Sequence, residues 1–195
     1  MDYIHTVQYY ETDKMGITHH SNYIRCDLEF YTESNSWNEK KGRKTTMADF
    51  EVRECKDTEV VKELFMEYSQ IKGAESCFVS FDKELADLEG FYSGGALLVG
   101  YEKNIPVASI AIKKLDDTTC EAKRLFIKPD SRGKGYARTM LNTMLDKSKE
   151  LGFSEVTFTT KPAVMQIGYG LYKRMGFEEV SEIEGTVSMR MAIGE

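Results

Sequence analysis

Histidine is scarce in this sequence. The three histidines, His5, His19 and His20, all lie within the first 20 residues, and none follows. A cysteine–histidine nucleophile built on Cys120 is therefore not expected, since no later histidine is present to take the thiol proton. A metal site formed by the three histidines is not expected either, because adjacent histidines point apart in both a helix and a strand.

The sequence also has no C-x-x-C pair, no long apolar run and no excess of positive charge. Four widely separated cysteines, and the lack of a leader with an apolar core, indicate reduced thiols in a cytoplasmic protein. No run approaches the roughly 20 apolar residues that cross a bilayer. The 26 Lys+Arg against 32 Asp+Glu give a net charge of −6. We therefore expect no nucleic-acid partner and no membrane partner.

What the chain does contain is enough apolar material for one ordinary domain and an appendage, with 41% apolar residues in 195. The stretch NEKKGRKTTMAD, residues 38–49, is almost free of apolar side chains, which predicts a linker near Lys40–Thr46. We expect an N-terminal fragment with its linker over residues 1–47 and a main domain over residues 48–195.

Hydrophobic periodicity predicts the element order β-α-α-β-β-β-α-β-α-β-β after the linker. The strand FEVREC comes first, a helix capped by Asp57 then runs to Gly73, and a shorter helix is expected around Lys83–Leu88. The apolar runs ALLVGYE and VASIAIKKL flank Lys103 and Asn104, which predicts a hairpin. The run CEAKRLFIK predicts the next strand.

The longest predicted helix begins after Gly135 and ends at Gly152, with apolar residues at helical spacing. The strand EVTFTT, a helix over residues 163–175 that closes at Gly176, and the strands FEEVSEI and TVSMRMAI complete the order. Strands joined by hairpins and by crossover helices indicate an α/β fold. We expect a mixed, mostly antiparallel sheet flanked by helices on both faces.

The loop RGKGYA follows a predicted strand and opens the longest helix. Its backbone N–H groups, aided by the helix dipole, would therefore stabilise a phosphate. Gly133 and Gly135 remove the Cβ atoms that would keep an anion from these amides, and Arg132, Lys134 and Arg138 add positive charge around them. Neither a Walker loop nor a dinucleotide fingerprint is present. A tight turn without a ligand fits the loop equally well.

The segment CEAKRLFIKPDSRGKGYARTML, followed at a distance by LYKRMGF, resembles the GNAT superfamily of acyl-CoA-dependent N-acyltransferases. The phosphate loop of that family has the pattern (Gln or Arg)-x-x-Gly-x-(Gly or Ala). Arg132, Gly135 and Ala137 occupy the three defined positions. The similarity covers about residues 48–195. It implies the GNAT fold, acetyl-CoA as co-substrate with no metal, and a loop that holds the pyrophosphate of coenzyme A.

The resemblance also implies which residues hold the coenzyme. Its pantetheine arm is expected in a cleft between the strands CEAKRLFIK and EVTFTT, which splay apart in this family. The predicted coenzyme-binding residues are Leu125, Phe126, Ile127, Arg132, Gly133, Lys134, Gly135, Tyr136, Ala137 and Arg138.

Glu121 is the predicted general base, because an amine must lose a proton before it attacks a thioester. In an unbulged strand it alternates in phase with Lys123, Leu125 and Ile127, which places it on the same strand face as one side of the cleft. A solvated glutamate on a sheet face is the alternative interpretation.

Tyr172, in LYKRMGF, matches the tyrosine from which this family protonates the departing thiolate. Ordinary helix packing, by Tyr172 or Tyr169, is the alternative. Family members often carry an asparagine a few residues before this helix, whereas this chain has KPAVMQ there. The missing asparagine leaves part of the coenzyme contact set without a counterpart.

The first 25 residues carry a second resemblance, to the opening of a hotdog-fold acyl-CoA thioesterase. In YYETDKMG the family's base or nucleophile maps onto Asp13, and His20 and Asn22 fall at the start of the helix that the hotdog sheet wraps. Too few residues follow to complete such a fold. Three interpretations stay open: a fused remnant, a docking arm that adds a strand and a helix to the main domain or to a second copy in a homodimer, and a working thioesterase.

The predicted function is transfer of an acetyl group from acetyl-CoA to a primary amine of a small molecule or amino-acid-like substrate. Two alternatives remain open at this stage. One is a regulatory module that binds acyl-CoA without turnover, and the other is a bifunctional thioesterase and acetyltransferase. No motif in the sequence selects the acceptor.

Overall fold

The computed structural model describes residues 50–72, 78 and 80–194, so the predicted N-terminal fragment and linker, with Asp13, His20 and Asn22, lie outside the described residues. Within that part the strands are β1 (Phe50–Glu54), β2 (Ala96–Glu102), β3 (Ile105–Lys114), β4 (Thr119–Ile127), β5 (Glu155–Thr160), β6 (Glu178–Ile183) and β7 (Thr186–Ala192). The helices are α1 (Thr58–Ser69), α2 (Phe81–Ala86), α3 (Leu88–Phe91), α4 (Tyr136–Glu150) and α5 (Gln166–Arg174), with a 3-10 turn at Pro129–Ser131.

The strands form one sheet in the order β1-β2-β3-β4-β5-β7-β6. β4 and β5 pair in parallel, and all the other neighbours in this described sheet pair antiparallel. The prediction of a mixed, mostly antiparallel sheet flanked by helices is therefore confirmed. This pair lies in the middle of the sheet. It is parallel because α4 carries the chain from the end of β4 back to the start of β5.

Two apolar clusters cover the two faces of the sheet, and β2 supplies both because its side chains alternate. Leu98 faces the cluster beneath α4 and α5, where Met140 and Met144 are fully buried. Val99 faces the cluster beneath α1, α2 and α3, where Phe65 is fully buried. Each fully buried side chain of this size contributes roughly 1.5–3 kcal/mol.

Local signals set the limits of the best-predicted elements. Lys103 and Asn104 both have positive φ, 52° and 65°, as a two-residue turn between β2 and β3 requires, so the hairpin prediction is confirmed. α4 begins after Gly135, φ 82°, and the chain leaves it at Gly152, φ 90°. Both glycines adopt a left-handed conformation that other residues rarely reach.

The region between β1 and β2 differs from the prediction of two helices. The expected helix at Lys83–Leu88 is two short helices, α2 and α3, separated by Asp87. The side chain of Asp87 accepts a hydrogen bond from the N–H of Gly90 at 2.8 Å and so caps α3, which explains the break. The predicted helix over residues 163–175 is also shorter, since α5 begins at Gln166.

β4 contains a bulge that the sequence did not reveal. Ser109 pairs with Phe126 but Ala111 pairs with Lys123, so β4 has one residue more than β3 at this point. Arg124 lies in the bulge with φ 59°, a left-handed conformation that is costly for a residue with a side chain. The side-chain alternation of β4 is therefore reversed after Arg124.

This bulge corrects the phase predicted for Glu121. Leu125 and Ile127 pack against the cluster beneath α4 and α5, whereas Phe126 belongs to the cluster beneath α1, α2 and α3. Glu121 precedes the bulge and lies between Cys120 and Ala122, which both pack in the cluster beneath α4 and α5, so its side chain points to the other face. Glu121 and Leu125 thus lie on opposite faces of the sheet, and the prediction that they share one face is wrong.

Candidate active site

A cleft opens between β4 and β5. The two strands pair at Thr119–Glu155, Cys120–Val156 and Glu121–Thr157, and no described pair continues beyond that point. The remaining residues of β4, from Ala122 to Ile127, thus have no β5 neighbour. The backbone of Leu125 and Phe126 borders this cleft, at the place predicted for the pantetheine arm.

The glycine loop lies at the end of β4, where α4 begins. Gly133 and Gly135 have φ of 72° and 82°, and a Cβ built on Gly135 would meet no heavy atom within 4 Å. Space is therefore open above the first turn of α4, where N–H groups lack an intrahelical partner. The N–H groups of Arg138 and Thr139 already donate to the carbonyl of Gly135, at 3.1 Å and 3.3 Å.

Arg132 is fixed to the adjoining strand, since its Nε donates to the carbonyl of Ile127 at 2.8 Å. This contact links the predicted phosphate loop to the predicted pantetheine strand. It also means that the carbonyl of Ile127 already serves one donor. Ala137 packs on the cluster beneath α4 and α5, and Arg138 is half-buried in the first turn of α4.

The sequence had indicated that the side chain of Lys134 adds positive charge around the loop amides. In the structure this charge is paired with Glu102. Its Nζ donates to both oxygens of Glu102, at 2.8 Å and 2.9 Å. Ser131 Oγ donates to the same carboxylate at 3.1 Å. Glu102, at the end of β2, thus fixes the loop through Ser131 and Lys134. Nothing in the sequence around Glu102 indicated this role.

Tyr136 is buried by contacts within the protein. Its ring stacks on Phe50 with centroids 3.8 Å apart, and its hydroxyl donates to Glu102. The side chain therefore anchors the start of α4 to β1 and β2. Its backbone N–H lies in the first turn of α4.

Glu121 lies half-buried at the last β4–β5 pair, with its carboxylate 3.2 Å from the Nζ of Lys123. Lys113 is its direct neighbour on β3, and Thr157 is its neighbour on β5. Neighbours in register share one face of a sheet, so these side chains form a polar row at the closed end of the cleft. Beyond β5, Arg190 of β7 continues the row.

Tyr172 lies on α5 with its ring 4.2 Å from the ring of Phe158. Phe158 directly follows Thr157, the last β5 residue that pairs with β4, so Tyr172 is placed beside the point where the two strands separate. It is half-buried, and its ring also lies 6.2 Å from Phe177. Ring packing and a position near the cleft therefore occur together at this residue.

A buried charged network lies beside the bulge, and the sequence did not indicate it. Arg124 donates from Nε and Nη2 to the two carboxylate oxygens of Glu84, and Tyr92 donates to Glu84 at 2.5 Å. Burial, and then the charge of Glu84, raises the pKa of Tyr92 far above its ordinary value. Burial alone would lower the pKa of Arg124, yet its hydrogen bonds to Glu84 raise it.

Cys120 is fully buried, and its thiol lies 3.4 Å from the hydroxyl of Ser148. Burial raises the pKa of this thiol, which disfavours the reactive thiolate. Among the described residues, no group of three or more His, Cys, Asp and Glu side chains is close enough to hold a metal ion. In the same part of the chain, no helix is long and apolar enough to cross a membrane.

The arrangement of the sheet, the splayed central pair and the glycine loop define an α/β fold of the acyl-CoA N-acyltransferase class. Residues 58–177 match the family described as Acetyltransferase (GNAT) family. The chain belongs to this family, and the predictions of its fold and enzyme class are confirmed. The match begins at α1, so it does not reach the N-terminal segment.

Known proteins agree with this assignment. An uncharacterized N-acetyltransferase of Schizosaccharomyces pombe is 27% identical over 148 residues, which cover 71% of this chain and 90% of that protein. The N-acetylaspartate synthetase of Danio rerio is 29% identical over 105 residues, which cover 52% of this chain and 37% of the synthetase.

Among solved structures, a GNAT superfamily phosphinothricin acetyltransferase from Sinorhizobium meliloti in complex with acetyl-CoA has the same fold. Its TM-score is 0.61 at 15% identity, over 75% of this chain and 89% of that chain. The prediction of acetyl-CoA as co-substrate agrees with this neighbour.

Proposed function

We propose that this acetyltransferase moves the acetyl group of acetyl-CoA to the primary amine of a small, amino-acid-like molecule. The observation that carries the proposal is the glycine loop at the start of α4, open above Gly135 and linked through Arg132 to the end of the strand that borders the β4–β5 cleft. A diphosphate placed against the loop amides would be stabilised by hydrogen bonds and by the dipole of a 15-residue helix.

The coenzyme would extend from the loop into the cleft. Its pyrophosphate would lie on the amides of Gly133, Gly135 and Tyr136, and Arg138 would lie beside it in the first turn of α4. The pantetheine arm would use the unpaired edge of β4 near Leu125, since an amide-rich chain can bond there as an added strand does. In this arrangement Lys134 acts through its backbone, because its Nζ binds Glu102.

The chemistry would take place where the cleft closes. An alkyl ammonium has a pKa of about 10.4, so the acceptor must give up a proton before its nitrogen attacks the acetyl carbonyl. Glu121 is the proposed base, directly or through one water. The new C–N bond forms, the C–S bond breaks, and the thiolate takes a proton from the hydroxyl of Tyr172.

The polar row at the closed end of the cleft supports an amino-acid-like acceptor. Glu121 offers a carboxylate to the amine, while Lys113, its neighbour on β3, and Arg190, two strands away on β7, offer positive charge to a carboxylate. The name of the N-acetylaspartate synthetase relative agrees with an acceptor that carries both groups.

One observation favours the alternative of a binding module without turnover. The carboxylate of Glu121 lies 3.2 Å from the Nζ of Lys123, so the side chain proposed as the base is already engaged in an ion pair. Calorimetry with acetyl-CoA, followed by thiol release with a panel of amines and amino acids, separates the two functions. Tight binding with thiol release supports the enzyme, whereas tight binding without release from any amine supports the sensor.

For the N-terminal segment, residues 1–47, we propose a fused remnant, a docking arm or a working thioesterase, on its sequence resemblance alone. Deleting residues 1–46 and measuring the mass in solution tests the docking arm, because loss of a homodimer would assign assembly to this segment. Hydrolysis of acyl-CoA without an amine, compared between the full chain and Asp13→Asn, tests the working thioesterase. Equal hydrolysis rates in the full chain and in Asp13→Asn would contradict the thioesterase and, with an unchanged mass in solution, would support the fused remnant.

A further inference from the structure

We propose that Arg124 is a positioning residue, which clamps the bulge of β4 to α2 and so sets the backbone that lines the cleft. This inference rests on the proposed function for its effect on turnover. Its structural part, that the side chain of Arg124 holds the bulge, stands on the contacts of Arg124 alone.

The bulge needs an external constraint. Arg124 has φ 59°, a conformation that costs a residue with a side chain on the order of 1 kcal/mol and persists only when its surroundings impose it. Its carbonyl accepts a hydrogen bond from the buried hydroxyl of Ser109 at 3.1 Å. Its side chain is 3% exposed, so the residue is held at both its main chain and its side chain.

The side chain of Arg124 contacts α2 and residues close to α2 and α3. Glu84 of α2, 1% exposed, receives both guanidinium donors, and it also receives the hydroxyl of Tyr92 just after α3. The rings of Phe78 and Phe81 lie 4.4 Å and 5.2 Å from the guanidinium carbon. Bidentate bonds and ring stacking require the planar guanidinium, so lysine cannot reproduce this set.

The clamp connects two walls of the site. Leu125 follows Arg124 directly, and its backbone borders the cleft proposed for the acyl-pantetheine. Phe126, one residue later, stacks on Tyr68 of α1 with ring centroids 5.5 Å apart. A shift of α2 would therefore move Arg124 and, with it, the backbone of Leu125. Misplacement of reacting atoms by about 1 Å can cost roughly a hundredfold in rate.

Two variants test this inference. Arg124→Lys keeps the charge but loses the bidentate contact. The double variant Arg124→Met, Glu84→Leu replaces the buried ion pair by apolar side chains, an exchange that often preserves stability. Met144→Ala, a cavity variant beneath α4 on the opposite face, serves as a control for general destabilisation.

We expect both Arg124 variants to lower kcat by about tenfold or more while KM for acetyl-CoA changes by less than roughly threefold. Met144→Ala should lower Tm without this loss of kcat. In coenzyme-free protein, hydrogen exchange of the amides from Arg124 to Ile127 should accelerate in both Arg124 variants and not in Met144→Ala. A double variant with the wild-type kcat and wild-type exchange rates would show that the pair does not position the bulge and would overturn the inference.

The exchange measurement keeps this inference separate from the proposed function. If the wild-type chain binds no acetyl-CoA or acetylates no amine, the proposed function fails. Faster exchange at the bulge would then still support the clamp, and unchanged exchange would still contradict it.

Discussion

Lys134 donates from Nζ to both carboxylate oxygens of Glu102, at 2.8 Å and 2.9 Å. The sequence predicted that the charge of Lys134 would lie beside a phosphate. In the structure it is instead paired with Glu102 at the end of β2. Ser131 and Tyr136 donate to the same carboxylate, so one glutamate holds three residues of the loop and of the first turn of α4. The loop is therefore preorganised by the protein rather than by a ligand.

Glu102→Gln is expected to lower the free energy of unfolding by about 1 kcal/mol at pH 7, because it removes charge-assisted hydrogen bonds. The hydrogen bond from Lys134, opposed by burial and assisted by Tyr136 and Ser131, lowers the pKa of Glu102 below its ordinary 4.5. A carboxylate with a depressed pKa contributes stability above its unfolded pKa, and this stability is lost as pH falls.

Urea unfolding of wild type and Glu102→Gln at pH 7 and near pH 4 measures this effect. The difference between the two proteins should be largest at pH 7 and should shrink in acid. Glu182→Gln, at an exposed carboxylate on β6, provides the control and should show a small difference at both values. A difference for Glu102→Gln that grows in acid would contradict the assignment.

Gly135→Val is expected to weaken coenzyme binding by at least roughly tenfold, equivalent to about 1.4 kcal/mol. The branched side chain would enter the open space above the first turn of α4 and keep a diphosphate from the amides. Gly152→Val is a matched control, because Gly152 also has positive φ and open space around it, at the other end of α4.

Calorimetry with coenzyme A compares the two glycine variants. Both should lose thermal stability to a similar degree, since both force a branched residue into a left-handed conformation. Only Gly135→Val should lose affinity for the coenzyme. Equal affinities in the two variants would place the coenzyme elsewhere.

Sequence patterns were sufficient where the structural cause is local. The hairpin at Lys103 and Asn104, and α4 between Gly135 and Gly152, follow from turn residues and helical spacing that a short stretch carries by itself. Unlike the contacts that hold the loop to Glu102, the positive φ of Gly133 and Gly135 belongs to the same class. These are also the parts of the candidate site that the sequence predicted.

The remaining parts of the site depend on residues far apart in the chain. The bulge at Arg124 is held by Glu84, which is 40 residues away and in isolation resembles an exposed glutamate of a short helix. No period or motif links the two, because burial of this pair arises only when α2 packs on β4. The face of Glu121 was mispredicted for the same reason, since one extra residue reverses the alternation of a strand.

Tyr172→Phe is expected to lower kcat by roughly 10- to 100-fold, because it removes the proposed proton donor to the thiolate. The ring should stay on Phe158, and Tm measures any contribution of the hydroxyl to stability. Tyr169→Phe removes a hydroxyl from the same helix, one that donates to Glu179 at the surface, and should leave kcat unchanged. Steady-state rates and Tm for both variants decide between proton donation and packing, and a wild-type rate for Tyr172→Phe would assign packing alone.

Cys120 is expected to resist alkylation at pH 8 in the folded protein, because burial raises its pKa and its thiol lies against Ser148. Peptide mapping by mass spectrometry after iodoacetamide treatment should find this cysteine unmodified without urea and modified in urea. Cys120→Ala should retain the wild-type kcat within about twofold, since no step of the proposed chemistry uses the thiol. Rapid labelling in the folded state would contradict the assignment.

Glu121→Gln provides the most direct test of the chemistry. If Glu121 takes the proton of the acceptor, the variant should lower kcat by roughly a hundredfold while the affinity for acetyl-CoA stays unchanged. The acid limb of the pH–rate profile, which reports protonation of the base, should flatten in the variant. Both readouts follow from the position of Glu121 at the last β4–β5 pair, on the face opposite to Leu125.

Glu155→Gln is the matched control for Glu121→Gln. Glu155 is two residues before Thr157 on β5, so it lies on the same face as Glu121, and it faces Arg190 at 3.9 Å. Loss of a nearby negative charge alone would slow both variants to a similar degree. A loss of kcat confined to Glu121→Gln, with its altered pH profile, would therefore identify proton transfer rather than general electrostatics, because only Glu121 lies where the cleft closes.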